Sequence, residues 1–322
     1  ENDQIKYSPK VERIGLGVLS NSNGIWSAIK ANHQRVTILR AALLKSAPDR
    51  VISLNDRTNV LTLIAARHLN LRVVVAERTD IRHHRIGRAW QWLRKRTYPT
   101  ACSIIVQTEA VRSAVERFAG TSPVHVIPNS ISLPSTGSTK PNLVLADGRN
   151  WFVAVGRLSH EKGLDQLVDA FALAAEMCPD WNLLIVGDGP EKNRLLETIR
   201  SSNLDHRIQL PGWIESPWTA IPKSSIAVLP SRYEGFPNSL LEAMSNGLAS
   251  IAFNCESGPS EIISHNENGL LVSPGDIPAL ANAMQSLANS PALRTRLSEV
   301  APRVNDRFSP ARIFARWEAV LA

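Results

Sequence analysis

Leu229-Pro-Ser-Arg-Tyr-Glu-Gly-Phe-Pro-Asn-Ser-Leu-Leu-Glu-Ala-Met-Ser-Asn-Gly247 is the stretch on which the reading of this chain turns. It leaves an apolar run, Ile226 to Leu229, that reads as a buried strand. It then crosses a turn rich in Gly and Pro. Asn238 stands where an N-cap is expected, ahead of Ser239-Leu-Leu-Glu-Ala-Met, and Gly247 is placed to end the helix. A strand, a turn and a helix N-terminus make an anion site, because the first helical N–H groups lack partners and the helix dipole is positive there. Glu234 lies in the turn. Glu242 lies four residues past Asn238, about 6 Å along the helix at ~1.5 Å per residue. That is close to the span from a diphosphate to the ribose of a nucleotide, and a carboxylate there can accept hydrogen bonds from a ribose diol. The alternative is two solvated glutamates on an ordinary α/β element.

Outward from this stretch the same pattern repeats. Strand 151–155 runs into Gly156, a helix covers 164–177, and strand 182–186 runs into Gly187-Asp-Gly-Pro190. A helix to about Ser202, a short strand 208–210, strand 249–253, a helix from Ser260 and strand 269–272 follow. Helices at 277–289 and 291–300 and a last helix from Ser309 complete this half. The first half alternates likewise: strands at 10–19, 51–54, 71–76, 103–107 and 124–127, with helices at 32–47, 57–69, 84–96 and 109–119. Residues 132–149 are rich in Pro, Ser, Thr, Gly and Asn and read as a linker. The expected fold class is α/β, with two doubly wound parallel-sheet lobes, and ligands at the carboxyl ends of their strands.

The 322 residues carry a net charge of +7, unevenly spread. Residues 1–140 hold 21 Lys/Arg against 9 Asp/Glu, a net +12, and the remaining 15 and 20 leave −5. The first half is therefore suited to an anionic partner. Cys102, Cys178 and Cys255 are odd in number and lack metal-ligand spacing, as expected of reduced thiols. No charged-then-apolar leader and no twenty-residue apolar span is present, so a cytoplasmic protein is expected. The eight His form no metal cluster by spacing, so no metal is expected.

Gly156-Arg-Leu-Ser-His-Glu-Lys-Gly163 follows a strand and precedes a helix. Gly156 lets the backbone approach a ligand. Arg157 and Lys162 can then face a diphosphate and neutralise charge on a leaving group. The alternative is a surface Arg and Lys on a loop. Gly187-Asp-Gly-Pro190 is more simply an ordinary turn with Pro at the helix start. Neither it nor Gly15-Leu-Gly17 completes a dinucleotide fingerprint, which removes the main support for a dehydrogenase. The segment 82–98 is the most basic. Ile86, Trp90 and Leu93 share one face, and Arg85, Arg88 and Arg96 border Trp92. This fits either a membrane-interface helix or a core stripe with a solvated basic face. Nucleic acid is not expected, since no nucleic-acid module accompanies the charge.

Together, Gly156-Arg157…Lys162-Gly163, Gly187-Asp-Gly-Pro190, Leu210-Pro-Gly-Trp213, Ser231 to Met244 and Gly258-Pro-Ser-Glu-Ile262 resemble glycosyltransferase family 4 (glycosyltransferase group 1). The last two are also similar to its bacterial members that extend lipid-linked glycans. The resemblance is dense over 151–322 and collinear over 50–130, through Ala76-Glu-Arg-Thr-Asp80 and Ile127-Pro-Asn-Ser130. It implies a GT-B fold, two Rossmann-like lobes facing across a cleft. Residues 1–135 would be the acceptor-side lobe, 136–150 the linker, 151–305 the nucleotide-sugar lobe, and 306–322 a helix crossing back. The family's opening strand and Gly-rich loop are not recognisable, so the first lobe is expected to be incomplete.

The resemblance implies retaining transfer of a sugar from a nucleotide donor, UDP-linked in this reading, with no metal and no cofactor beyond the donor itself. The implied acceptor is a glycan, polyprenyl-diphosphate-linked, reached at the inner face of the membrane through the 82–98 segment. Carried over by position, Arg157, Lys162 and Glu234 are the catalytic candidates. Gly156, Gly212, Trp213, Gly235, Phe236, Asn238, Ser239, Leu240 and Glu242 join those three at the donor. Glu234 matches the first glutamate of the family's E-x7-E motif, near the donor sugar, and Glu242 the second, on the ribose. Glu77 and Arg78 stand where many relatives carry a His, and Arg78 is the candidate contact to an acceptor phosphate. The competing expectations are a GT-B isomerase or phosphorylase, or a donor-binding protein without turnover.

Overall fold

The computed structural model describes residues 10–18, 24–131, 145 and 149–322. The first part of the chain runs α1 (Ile25–Ser46), β1 (Arg50–Leu54), α2 (Asp56–Ala66), β2 (Arg72–Ala76), α3 (Arg88–Thr97), β3 (Ser103–Val106), α4 (Glu109–Glu116) and β4 (Val124–Val126). Its four strands are ordered β1-β2-β3-β4. The second part begins β5 (Asn150–Val155), α5 (Leu164–Ala174), β6 (Trp181–Val186), α6 (Lys192–Ser201) and β7 (Ile208–Gly212). It continues β8 (Ile226–Leu229), α7 (Asn238–Ser245), β9 (Ala249–Phe253), α8 (Pro259–Ile262) and β10 (Leu270–Val272). Four helices close it: α9 (Ile277–Asn289), α10 (Pro291–Val300), α11 (Val304–Arg307) and α12 (Pro310–Leu321). Its six parallel strands are ordered β10-β9-β8-β5-β6-β7.

The second sheet is buried on both faces, which is why β6, β8 and β9 read as largely apolar runs rather than alternations, broken only by the buried Asn182 and Ser250. Helix α5 supplies Leu164, Leu167, Val168 and Phe171 to one side, at the 0, 3, 4, 7 spacing of an amphipathic helix. Local capping fixes several boundaries. Asp276 caps α9 through the Ala279 N–H at 2.9 Å, Ser290 caps α10 through Leu293, and Thr108 caps α4 through Val111. From β5 the chain winds outward through β6 and β7. It then returns to β8, beside β5, and winds the other way. The strand order thus reverses between β5 and β8, and an α/β sheet opens its crevice at such a reversal.

The chain forms two compact units. One consists of the chain up to Ala76 with Ile86–Ile104 and Phe118–Pro123; the other of Glu77–Arg85, Ile105–Arg117 and Val124–Ala322. The linker expected at 136–150 falls mostly outside the described residues.

Three local expectations are corrected. Residues 10–18 form no strand: Gly17 takes φ +61, and Val11 and Ile14 stay exposed, so the alternation buries no face. The basic helix begins at Arg88 instead of the low eighties, because the Asp80 carbonyl closes a turn on the N–H groups of His83 and His84 and Gly87 takes φ +89. Asn238 does not cap α7. Pro237 occupies that position, and Asn238 Oδ1 accepts from Asn129 Nδ2 at 2.6 Å.

Candidate active site

The loops after β5 and β8 flank the strand-order reversal, and they are tied together there. Lys162 Nζ lies 2.7 Å from Glu234 Oε1, which also accepts from Ser231 Oγ at 2.7 Å. Glu234 is buried and Lys162 is partly exposed. The Lys162 stem runs over Gly156, at 3.8 Å from where a Cβ would stand. A second bridge braces the first. Arg232 donates to both carboxylate oxygens of Asp165, at 2.8 and 2.7 Å, and to the His160 carbonyl at 2.7 Å. Its own N–H donates to the Glu161 carbonyl at 2.8 Å. Burial works to raise the Asp165 carboxyl, but the hydrogen bonds and charge of Arg232 hold it below its ordinary value.

Close backbone approach accounts for the glycines. A Cβ on Gly163 would fall 2.1 Å from the Pro230 carbonyl oxygen, and one on Gly187 would fall 1.8 Å from that of Gly156. Gly187 and Gly189 therefore serve loop packing, consistent with an ordinary turn. A Cβ on Gly235 would fall 2.6 Å from the Arg78 carbonyl oxygen.

Arg78 belongs to the same compact unit as this corner. Its guanidinium is desolvated, which lowers its pKa, and no salt bridge to it is present among the described residues. It donates to Asn129 Oδ1, which also accepts from Gln107 at 2.7 Å, and Asn129 in turn donates to Asn238. Arg78 is thus linked to the N-terminus of α7.

The remaining candidates line the same sheet edge. Glu242, on the second turn of α7, accepts from Trp218 Nε1 at 3.2 Å. Trp213 is 62% exposed just beyond β7, and the Gly212 carbonyl accepts from the Gly187 N–H at 2.8 Å. Arg157 is exposed, and no hydrogen bond or salt bridge holds its side chain among the described residues. Phe236 and Leu240 are buried in the core beneath α7, with Phe236 against Phe308, so only their backbone groups can face a ligand. Ser239 is half-buried. Among the described residues, no group of three or more His, Cys, Asp or Glu could hold a metal ion.

Residues 137–304 match the family model described as glycosyl transferases group 1. The chain belongs to this family. It is 31% identical over 293 residues to the exopolysaccharide phosphotransferase SCO2592 of Streptomyces coelicolor, covering 87% of this chain and 27% of that protein. A second relative is the Campylobacter jejuni GalNAc-alpha-(1->4)-GalNAc-alpha-(1->3)-diNAcBac-PP-undecaprenol alpha-1,4-N-acetyl-D-galactosaminyltransferase. It is 26% identical, with 92% of this chain and 81% of that one aligned. Among solved structures, Anabaena Alr3699/HepE in complex with UDP and glucose superposes with a TM-score of 0.75 at 20% identity, over 90% of this chain and 81% of that one. The fold is GT-B, built from two parallel-sheet α/β lobes.

The family motifs therefore fall on one corner of the second unit. Several of its residues went unmarked in the sequence. Asp165 and Arg232 are 67 residues apart, and neither stands in a motif that pairs them. Trp218 had no signal beyond its type. Ser257 is buried, donates to the Gly235 carbonyl at 3.2 Å and meets Thr108 Oγ1 at 2.8 Å; Gly258-Pro259 beside it was the only available cue.

Proposed function

We propose that this chain is a retaining glycosyltransferase. It moves a sugar from a nucleotide donor, UDP-linked, to a glycan acceptor carried on a polyprenyl diphosphate at the inner face of the membrane. The observation that carries the reading is the Lys162–Glu234 pair, held at 2.7 Å across the strand reversal beside the N-terminus of α7. The family match supports transfer. The UDP and glucose bound by HepE support the donor class, and the acceptor named for the Campylobacter relative supports a lipid-linked glycan.

In this reading the donor diphosphate meets the free N–H groups of α7 and the cations Arg157 and Lys162. It takes over the Lys162 ammonium, and Glu234 turns to the hydroxyls of the donor sugar. Glu242, oriented by Trp218, accepts from the ribose, and Trp213 flanks the base. As the sugar–phosphate bond breaks, the two cations hold the departing diphosphate. A diphosphate oxygen takes the proton of the attacking acceptor hydroxyl on the same face, which retains the anomeric configuration. The protein cations supply the charge neutralisation, so no metal is called on. Arg78 takes a phosphate of the acceptor.

Thermal unfolding with UDP, GDP and ADP tests the reading, with Glu242→Ala as control. A ligand at ~100 times its Kd adds about 2.7 kcal/mol of stability. Stabilisation by UDP that the control abolishes is the expected result. No response to any nucleotide overturns the donor assignment.

A further inference from the structure

Helices α8, α11 and α12 and the ends of β3 and β4 enclose a cavity of ≈ 420 Å³, all of it within the second unit. Small-ligand sites have this size. Three guanidiniums line it, and none of them forms a salt bridge among the described residues. Arg307 donates to the carbonyls of Glu261 and Ile262 at 2.6 and 3.4 Å, and Arg312 to that of Asp306 at 3.1 Å. Arg316 is exposed and makes no hydrogen bond among the described residues. Arg312 and Arg316 are four residues apart on α12, so they share a face one turn apart.

Two carboxylates stand beside these cations without answering them. Glu261 Oε1 accepts from the Glu109 N–H at 3.2 Å, and Glu109 Oε2 lies 3.5 Å from Arg112. Each keeps lone pairs for a further donor. The floor is apolar: Pro128 and Phe308 are buried, and Phe308 packs on Phe236. Arg307 covers the Phe308 ring, 5.0 Å from its centroid. Gln107, at one wall, donates to Asn129 at 2.7 Å, and Asn129 holds Arg78 and Asn238. The cavity therefore backs onto the donor corner, and it contains neither Lys162 nor Glu234.

We propose that this cavity binds a sugar carrying one acidic group, a phosphate monoester or a carboxylate. Arg312 and Arg316 hold the acidic group. The ring hydroxyls donate to Glu109 and Glu261, and the C–H face of the ring lies on Pro128 and Phe308. A polyanion fits less well, because the two carboxylates oppose any charge beyond the first group. A nucleotide also fits less well, because Arg307 occupies the aromatic face on which a base would stack. The inference does not rest on the donor chemistry, so sugar binding here and UDP binding can fail separately.

The test is calorimetric titration of the full chain with glucose 1-phosphate, methyl glucuronide, glucose and inorganic phosphate, each with and without UDP. One of the two acidic sugars, or both, should bind at a single site, more tightly than glucose or inorganic phosphate. Binding of glucose 1-phosphate alone names a free sugar phosphate as the ligand; binding of methyl glucuronide alone names a uronate residue of a glycan. Arg316→Ala breaks no contact within the protein and should weaken the acidic sugar about tenfold, the scale of a hydrogen bond to a charged group. Arg312→Ala should do the same. Glu261→Gln should weaken it about fivefold, the scale of a neutral hydrogen bond, and leave inorganic phosphate unaffected. The Arg316 variant should keep the wild-type melting temperature. Arg303→Ala, exposed in the same unit but outside the cavity, should bind like wild type. Failure of both acidic sugars to bind overturns the proposal, as does wild-type affinity in Arg316→Ala. Inorganic phosphate binding as tightly as the sugars overturns it too, and so does loss of sugar binding to competing UDP.

Discussion

In the sheet β1–β4 the strand order follows the chain; in β5–β10 it reverses between β8 and β5. The loops proposed to meet the donor flank that reversal, and two of their cations are already answered by the protein: Lys162 by Glu234, Arg232 by Asp165. The surface of α3, in the first unit, is built the other way. Arg88, Lys95 and Arg96 stand outside the packing and form no salt bridge among the described residues. The contrast separates two ways of holding an anion. One prearranges a few groups in a backbone-tight crevice, where geometry sets the rate. The other spreads loose cations over an open surface, where binding adds charge by charge and weakens with salt.

The strongest way to break this contrast is to remove one cation from each region. Lys162→Ala is expected to lower turnover on the order of 10²–10³, as for the loss of one preorganised donor to a developing anion. It also leaves Glu234 buried without its ammonium. Lys95→Ala, on the α3 surface, should leave turnover on a detergent-solubilised acceptor unchanged. Donor-sugar transfer measured for both variants decides the matter. A Lys162→Ala enzyme with wild-type turnover would remove that residue from the chemistry.

A smaller effect sharpens the picture of the crevice. Asp165→Asn keeps the shape but weakens the fork to Arg232, which braces the Lys162 loop against the Glu234 turn. UDP affinity measured by calorimetry should fall about tenfold, the scale of a hydrogen bond to a charged group. The pH dependence has a definite sign. The folded carboxyl lies below its ordinary 3.8. The contribution of the fork is therefore fully present above that value and is lost as pH falls through the lower folded one. Affinity should be insensitive to this group between about pH 5 and 8. Only an acid limb below about pH 4 should vanish in the Asn variant.

How much of this was legible depends on how locally each feature is encoded. Strands β5, β6, β8 and β9 and helices α9 and α10 could be read, because apolar runs, caps and Pro starts act within a few residues. The placement of Lys162 and Glu234 in the loops after their strands, and of Glu242 on α7, could be read because each sits at a fixed offset from a strand end or helix start. The Asp165–Arg232 brace could not, since no local pattern links residues in different loops. Asn238 misled because its capping preference was outbid by Asn129, 109 residues away. The burial of Arg94 was not legible for the same kind of reason. A basic residue in a basic segment reads as exposed until Asp56, Gln91 and Tyr98 are seen around it.

The smallest expected effect compares thiols. Cys102 is exposed, whereas Cys178 and Cys255 are buried. The Cys255 thiol is pushed up to about 11, first by burial and then by the negative charge of Glu234, with backbone hydrogen bonds only partly opposing. Burial also raises Cys178, against the charge of Arg207. The reactive species is the thiolate, and at pH 8 a thiol titrating near 11 is ionised in about one molecule in a thousand. Iodoacetamide at pH 8 should therefore add a single carbamidomethyl group to the native chain, at Cys102, as read by intact mass and peptide mapping. Glu234→Gln removes the second cause and leaves the first, so Cys255 should remain slow in that variant while it stays folded. Modification of Cys255 as fast as Cys102 in the native protein would mean that the loop carrying Ser257 and Gly258 does not pack on the Glu234 turn. The crevice would then be open where the prearranged half of the comparison requires it closed.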